Sequence, residues 1–115
     1  MFGRFSITLH RVRDTITVRE GGEELTLKVD QDPRIMVVQI RNAQDRLNQA
    51  NKPEATDEDR ERAARQFSNA IFGEAQTEKL AEFYSGNYSC VVTICGIYFE
   101  KRLCKKIVAA QKKQK

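Results

Sequence analysis

Three cysteines near the carboxyl end have the most distinctive chemistry in the chain, because thiolates bind soft metals and take part in redox reactions. Cys90, Cys95 and Cys104 are separated by five and nine residues, which is neither a CxxC pair nor the spacing of a zinc ribbon. On a helix, Cys90 and Cys104 lie roughly on one side and Cys95 points elsewhere, so the three thiols do not converge. The spacing favours cysteines that pack as small hydrophobic residues in a core helix.

The other candidates for chemistry are one histidine and a run of acids. His10 as a general base would need a nucleophile and an orienting carboxylate, and no motif of that kind accompanies it. Asp57, Glu58 and Asp59 could ligate Mg²⁺, but acids in the first turn of a helix are explained by the helix dipole. The sequence therefore predicts no catalytic, cofactor-binding or metal-binding residue, and a protein that is not an enzyme.

Basic residues are concentrated at the carboxyl end. Residues 101–115 contain seven bases and no acid, whereas residues 54–82 contain eight acids and four bases. If this end binds an anionic partner, the expected contacts are Lys105, Lys106, Lys112 and Lys113. A solvated charged terminus is the alternative. Nucleic acid is a less favoured partner, because neither a helix-turn-helix signature nor an aromatic strand platform accompanies the lysines.

Length and composition indicate one globular domain over residues 1–115. Apolar residues make up 40% of the chain and charged residues 31%, and no apolar run approaches the roughly 20 residues that cross a bilayer. The first ten residues alternate in polarity and lack the apolar centre of a signal peptide. No membrane association is therefore expected. With an odd number of cysteines as well, the cytoplasm is the expected location.

The elements that position these residues begin with strands. Apolar residues alternate with polar ones in three runs, at residues 5–9, 15–19 and 25–29, which predicts an antiparallel β-meander within residues 1–30. The two glycines at 21–22 predict a two-residue hairpin turn. Counting outward from that turn pairs Val18 with Leu25 and Ile16 with Leu27, which places all four side chains on one face.

A sheet this small has exposed edges, and an exposed edge invites strand addition or self-assembly. If the protein forms a homo-oligomer, the strand and turn residues are the expected interface, namely Ile16, Val18, Gly21, Gly22 and Leu25. The alternative is that charged residues around the turn block this edge.

After residue 30 the apolar period changes from two to about 3.6, which predicts about four α-helices within residues 33–113. Asp32 before Pro33 predicts the start of a helix over 33–50, and Thr56 with Asp59 resembles a capping box. Gly73 is expected to end the second helix or bend it sharply. The predicted fold class is α+β, with a three-stranded meander followed by helices.

The segment FGEAQTEKLAEFYSGNYSCVVTICGIYFEKRLCKKIVAAQKK, residues 72–113, resembles the carboxyl half of proteins from the tail gene cluster of long-tailed phages and prophages of Gram-positive bacteria. Within that cluster, the order of meander, Asp-Pro-started helix, acidic helix and basic last helix is most similar to tail assembly chaperones.

The resemblance implies a non-enzymatic protein in the host cytoplasm that binds the long, helical tape measure protein during tail assembly. It also implies self-association through the hairpin region, and a longer form made by translational frameshifting near Lys112 and Lys113. The alternatives are a structural virion component, such as a head-tail connector or minor tail protein, and a small basic accessory protein that binds nucleic acid.

Overall fold

The computed structural model describes Gly3 and residues 10–112. A two-stranded antiparallel sheet precedes the helices, so the predicted α+β class is confirmed. The predicted first strand, residues 5–9, lies outside the described residues, and a third strand remains a prediction. The elements are β1 (Val12–Glu20), β2 (Glu23–Gln31), α1 (Pro33–Ala50), α2 (Asp57–Phe72), α3 (Glu74–Phe83), α4 (Tyr88–Tyr98), a π-helical turn (Phe99–Leu103) and α5 (Cys104–Lys112).

The hairpin has the register that its turn predicts. Val18 lies opposite Leu25 and Ile16 lies opposite Leu27. The two turn glycines have φ values of +55° and +86°, a conformation that residues with a Cβ rarely adopt. The turn therefore requires glycine, and it fixes which side chains of the two strands share a face.

Strand β1 is longer than the alternation of residues 15–19 predicts, because it begins at Val12. Val12 has the parity of Ile16 and Val18 and is only 2% exposed, so the apolar face of the strand extends to this residue. The opposite face is polar throughout, with a cross-strand ion pair between Arg19 and Glu24 at 2.9 Å. One face of the sheet thus packs on the helices and the other faces solvent.

Helices α1 and α2 begin at the capping residues that the sequence predicts. Asp32 Oδ1 accepts a hydrogen bond from the Arg34 N–H at 2.9 Å, with proline at the first helical position of α1. Thr56 and Asp59 form a reciprocal capping box with distances of 3.0 and 3.1 Å. These bonds satisfy N–H groups that a helix start leaves without an intrahelical partner.

Between α2 and α3, Gly73 makes the sharp bend that its residue type predicts. Its φ is +84°, its N–H bonds the Asn69 carbonyl, and its carbonyl accepts from the Thr77 N–H. One residue therefore closes α2 and starts α3 in a new direction.

The core lies between the inner face of the hairpin and the helices. It combines strand residues with one face of each of the longer helices. Its members are Val12, Val18, Leu27, Val29, Met36, Ile40, Ala43, Phe67, Ala70, Ile71, Phe72, Leu80, Val91, Cys95, Tyr98, Leu103, Ile107 and Ala110. Within the described residues, no helix combines the length and the apolarity needed to cross a bilayer.

The π turn keeps α4 and α5 packed on the same core. Buried positions in α4 end at Tyr98, and the next ones are Leu103, Ile107 and Ala110. A regular α-helix would bring the residue three or four positions after Tyr98 to the core, but the sequence supplies its leucine at the fifth. The wider turn absorbs the extra residue, so the apolar stripe continues without interruption.

Candidate binding surfaces

The cysteines and acids that could hold a metal are not brought together. Cys90 is half-buried, Cys95 is buried and Cys104 is exposed, and across the described part of the chain no group of three or more His, Cys, Asp or Glu residues could hold an ion. Burial raises the pKa of the Cys95 thiol to about 12, so this thiol stays protonated and packs as a hydrophobic group. The packing prediction is thus confirmed for Cys95 and wrong for Cys104, which is exposed.

The acidic run is accounted for by structure. The Thr56 N–H and hydroxyl bond Asp59 and lower the pKa of its carboxyl. Asp57 and Glu58 pair with arginines three and four positions further along α2, at 2.9 and 2.7 Å. These are the interactions expected at the positive end of a helix dipole.

A polar network around the buried carboxylate of Asp14 links β1 to the end of α4 and the π turn. The Tyr98 hydroxyl donates to Asp14 Oδ2 at 2.7 Å, and Arg102 Nη2 donates to Asp14 Oδ1 at 2.6 Å. The Thr15 N–H also donates to Oδ1, at 2.9 Å. The side chain of Asp14 is only 4% exposed, so these donors replace the water that it loses on folding.

The network holds these elements together. Burial, followed by the hydrogen bond to Asp14, raises the pKa of the Tyr98 phenol above its ordinary value, so Tyr98 remains a proton donor. Our sequence reasoning missed this cluster, although one signal was present. Asp14 is the polar residue within the apolar parity of Val12, Ile16 and Val18, and a charged group on a buried strand face requires a partner.

The five residues predicted for self-association are part of the hairpin, and their exposure differs. Val18 is 7% exposed and belongs to the core, while Ile16 and Leu25 are half-buried against it. The turn glycines are exposed. Interaction through this region would therefore use the turn and the backbone edges, since most of the apolar side-chain surface is already packed.

Part of the outer edge of β2 is covered by α3. Gln76 Oε1 accepts from the Lys28 N–H at 2.7 Å, and Gln76 Nε2 donates to the Lys28 carbonyl at 2.6 Å. The amide side chain thereby takes the place of a peptide group in a neighbouring strand. Nε2 also donates to the Phe72 carbonyl at 2.7 Å, which anchors the amide to the end of α2.

The three predicted lysine contacts that the structure describes do not share one surface. Lys113 lies outside the described residues. Lys105 and Lys112 are exposed on the outward side of α5. Lys106 is half-buried about 100° around the helix from Lys105, where it faces β1. The sequence suggested a single basic tail, but helical geometry distributes these charges between two surfaces.

The first of these surfaces, named here the α1–α5 groove, is a cavity between α1 and α5 with a volume of about 230 Å³. Its floor is apolar. Val108 is 45% exposed at its edge. Since α1 and α5 are both amphipathic, their contact leaves apolar side chains facing the space between them. The lining residues are Val37, Ile40, Arg41, Gln44, Phe99, Cys104, Ile107, Val108 and Gln111.

Cations surround this groove. Arg41 is part of its wall, and Lys101, Lys105 and Lys112 are exposed along the side of the C-terminal helix next to Val108. None of the ion pairs formed among residues 10–112 involves these four side chains. The groove therefore combines an apolar floor with an unneutralised positive rim.

The second surface, named here the β1–α5 pocket, has a volume of about 330 Å³. It lies where the beginning of β1 crosses the last turns of α5. Most of its lining side chains are basic, and α5 also contributes two alanines. The lining residues are His10, Arg11, Val12, Arg13, Lys106, Ala109 and Ala110.

A third cavity, between α1 and α2, is also lined by arginines, but most of their charge is neutralised. Its walls include Arg62 and Arg65, which form ion pairs with Glu58 and Glu78. This cavity presents a polar surface with little excess charge.

Comparison of the chain with protein-family models, with curated proteins and with solved structures finds no match.

Proposed function

We propose that the protein is a non-enzymatic morphogenesis factor that binds a helical segment of a partner protein in the α1–α5 groove. The resemblance to tail assembly chaperones supplies the partner, namely the tape measure protein of a long-tailed phage. The host cytoplasm would then be the site of action. The observation that carries the proposal is the apolar floor of the groove, which lies between two helices and is open to solvent.

The shape of the groove suits an amphipathic helix. A helix that docks between two others buries residues at positions i, i+3, i+4 and i+7. The groove-lining residues of α5, namely Cys104, Ile107, Val108 and Gln111, have this same spacing. A bound helix could pack its apolar stripe against them without displacing any core side chain.

The cations around the groove favour one kind of partner helix. Four cations that form no ion pair within residues 10–112 favour a helix with acidic residues on either side of its apolar stripe. Such a helix would also be poorly soluble alone if its stripe were exposed, and covering the stripe is what a chaperone does. A basic or evenly apolar helix would gain less from this surface.

The test is co-expression of the protein with the tape measure protein of a long-tailed phage, followed by affinity capture and size-exclusion chromatography. Val108→Asp places a carboxylate at the edge of the apolar floor of the groove, and we expect it to remove most of the captured partner. Val108 is 45% exposed, so this substitution should leave the fold intact, which circular dichroism would verify.

Ile35→Asp is the matched control. Ile35 is 54% exposed and lies on the side of α1 away from the groove, so the same apolar-to-acid change should leave capture unchanged. Equal capture by the Val108→Asp variant and the wild type would refute the groove as the binding surface. Equal loss in both variants would show that capture depends on general surface polarity.

A further inference from the structure

The β1–α5 pocket has a charge imbalance that no carboxylate among residues 10–112 corrects. Arg11 and Arg13 both donate to one carboxylate oxygen of Asp30, at 2.6 and 3.4 Å. Lys106 forms no ion pair within residues 10–112, although it is half-buried. Three cations against one carboxylate leave an excess of two positive charges around a single cavity.

We propose that the β1–α5 pocket is a binding site for a phosphate group. A phosphate monoester carries about −1.5 to −2 charges near neutral pH, which matches the excess in the pocket. Guanidinium groups present forked N–H donors that suit phosphate oxygens, and an ammonium group adds a point charge. The volume of about 330 Å³ is at the lower end of the range for small-ligand pockets.

The arrangement favours phosphate over a carboxylate ligand. Asp30 already supplies a carboxylate to both arginines, so a second carboxylate would repeat an interaction that is present and leave one charge unbalanced. The cations also come from different elements, a strand and a helix, and approach the cavity from different sides. A tetrahedral anion with several acceptor oxygens can use donors from several directions, whereas a planar carboxylate has two oxygens in one plane.

The proposal does not depend on the α1–α5 groove. The pocket is on the opposite side of α5, so a phosphate and a helical partner could bind together. Each surface also has its own diagnostic residue, since Lys106 lines only the pocket and Val108 only the groove. Failure of one proposal would therefore leave the other unaffected.

The test is a two-dimensional ¹H–¹⁵N NMR titration of the full chain with inorganic phosphate, at constant pH and at ionic strength held constant with sodium chloride. We expect saturable shifts of the backbone amides that line the pocket, above all those of Arg13 and Ala110. Lys106→Gln should weaken binding about fivefold or more, because it removes one full charge from a half-buried site.

Lys105→Gln is the matched control, because it makes the same charge change on the same helix at an exposed residue that does not line the pocket. We expect its affinity for phosphate to remain within about twofold of the wild type, since exposed charges are strongly screened. Shifts that do not saturate, or equal weakening by the two variants, would overturn the proposal, because either result indicates general screening.

Two further titrations distinguish the source of the phosphate group. Binding of a DNA duplex of about 20 base pairs, with a strong salt dependence and competition by inorganic phosphate, would assign the pocket to a nucleic-acid backbone. Tighter binding of pyrophosphate, with no effect of the duplex on the pocket amides, would assign it to a small phosphate compound. If polyglutamate shifted these amides at lower concentrations than any phosphate, the pocket would be a carboxylate site and the proposal would be wrong.

Discussion

Deletion of Glu100 should leave the protein folded, although it removes a residue from the middle of a helix. The buried residues on either side of the π turn, Tyr98 and Leu103, are five positions apart. Removing one residue between them gives the four-residue spacing of a regular α-helix. The π turn would become an α turn, and Leu103, Ile107 and Ala110 would keep their direction toward the core.

The expected free energy change follows from what the deletion leaves in place. Glu100 is exposed, and the buried residues that follow it are 0%, 4% and 7% exposed before the deletion. No apolar side chain leaves the core, so the free energy of unfolding should change by no more than about 1 kcal/mol.

Deletion of Lys105 is the control, because this residue is equally exposed but lies after the π turn. Its loss rotates Ile107 and Ala110 by about 100° relative to Leu103, and no wider turn remains on that side to compensate. Partial exposure of one isoleucine and one alanine should cost about 2–4 kcal/mol.

Urea denaturation followed by far-ultraviolet circular dichroism measures both free energies on the full chain. The reasoning predicts a large difference between the two deletions, and a helix signal in the Glu100 deletion at least as strong as in the wild type. Equal destabilisation would refute the claim that the π turn only absorbs a surplus residue, and would indicate that the turn itself is required.

Two further predictions concern the buried Cys95 thiol and the hydrogen bonds at the edge of β2. The Cys95 thiol stays protonated up to about pH 12 in the folded chain. In the unfolded chain the same thiol loses its proton above about pH 8.5. The free energy of unfolding should therefore fall between these two pH values by up to about 1.4 kcal/mol per pH unit. The free energy of unfolding of Cys95→Ala should lack this decrease. Parallel pH curves for the wild type and the variant would contradict the prediction. Gln76→Ala removes the amide that bonds both backbone groups of Lys28 and should cost about 1–2 kcal/mol. Hydrogen exchange at the Lys28 amide should then be much faster, and unchanged exchange would argue against edge covering.

Local signals predicted much of the fold correctly because their causes are local. The register of the hairpin follows from two glycines that can adopt positive φ, and the start of α1 follows from Asp32 and Pro33. The bend at Gly73 has the same origin. Each of these features is determined within about four residues, which a single sequence displays in full.

The remaining features depend on contacts between distant parts of the chain. Gln76 bonds a residue 48 positions away, and Asp14 bonds Arg102 across 88 positions. A sequence pattern gives the parity of Asp14, but it does not identify which donor will reach it. The π turn could have been found from the five-residue gap in the apolar stripe, and without it the residues of α5 could not be placed relative to those of α4.

The C-terminal helix serves both proposed surfaces through one buried face. Ile107 lines the α1–α5 groove, Ala110 lines the β1–α5 pocket, and both are buried in the core between them. Surface substitutions at Val108 and Lys106 should consequently affect one surface each. A substitution that loosens Ile107 should weaken both, because neither wall keeps its position once α5 leaves the core. If each surface substitution weakens binding at one site only and the core substitution weakens binding at both, α5 forms part of two separate binding sites.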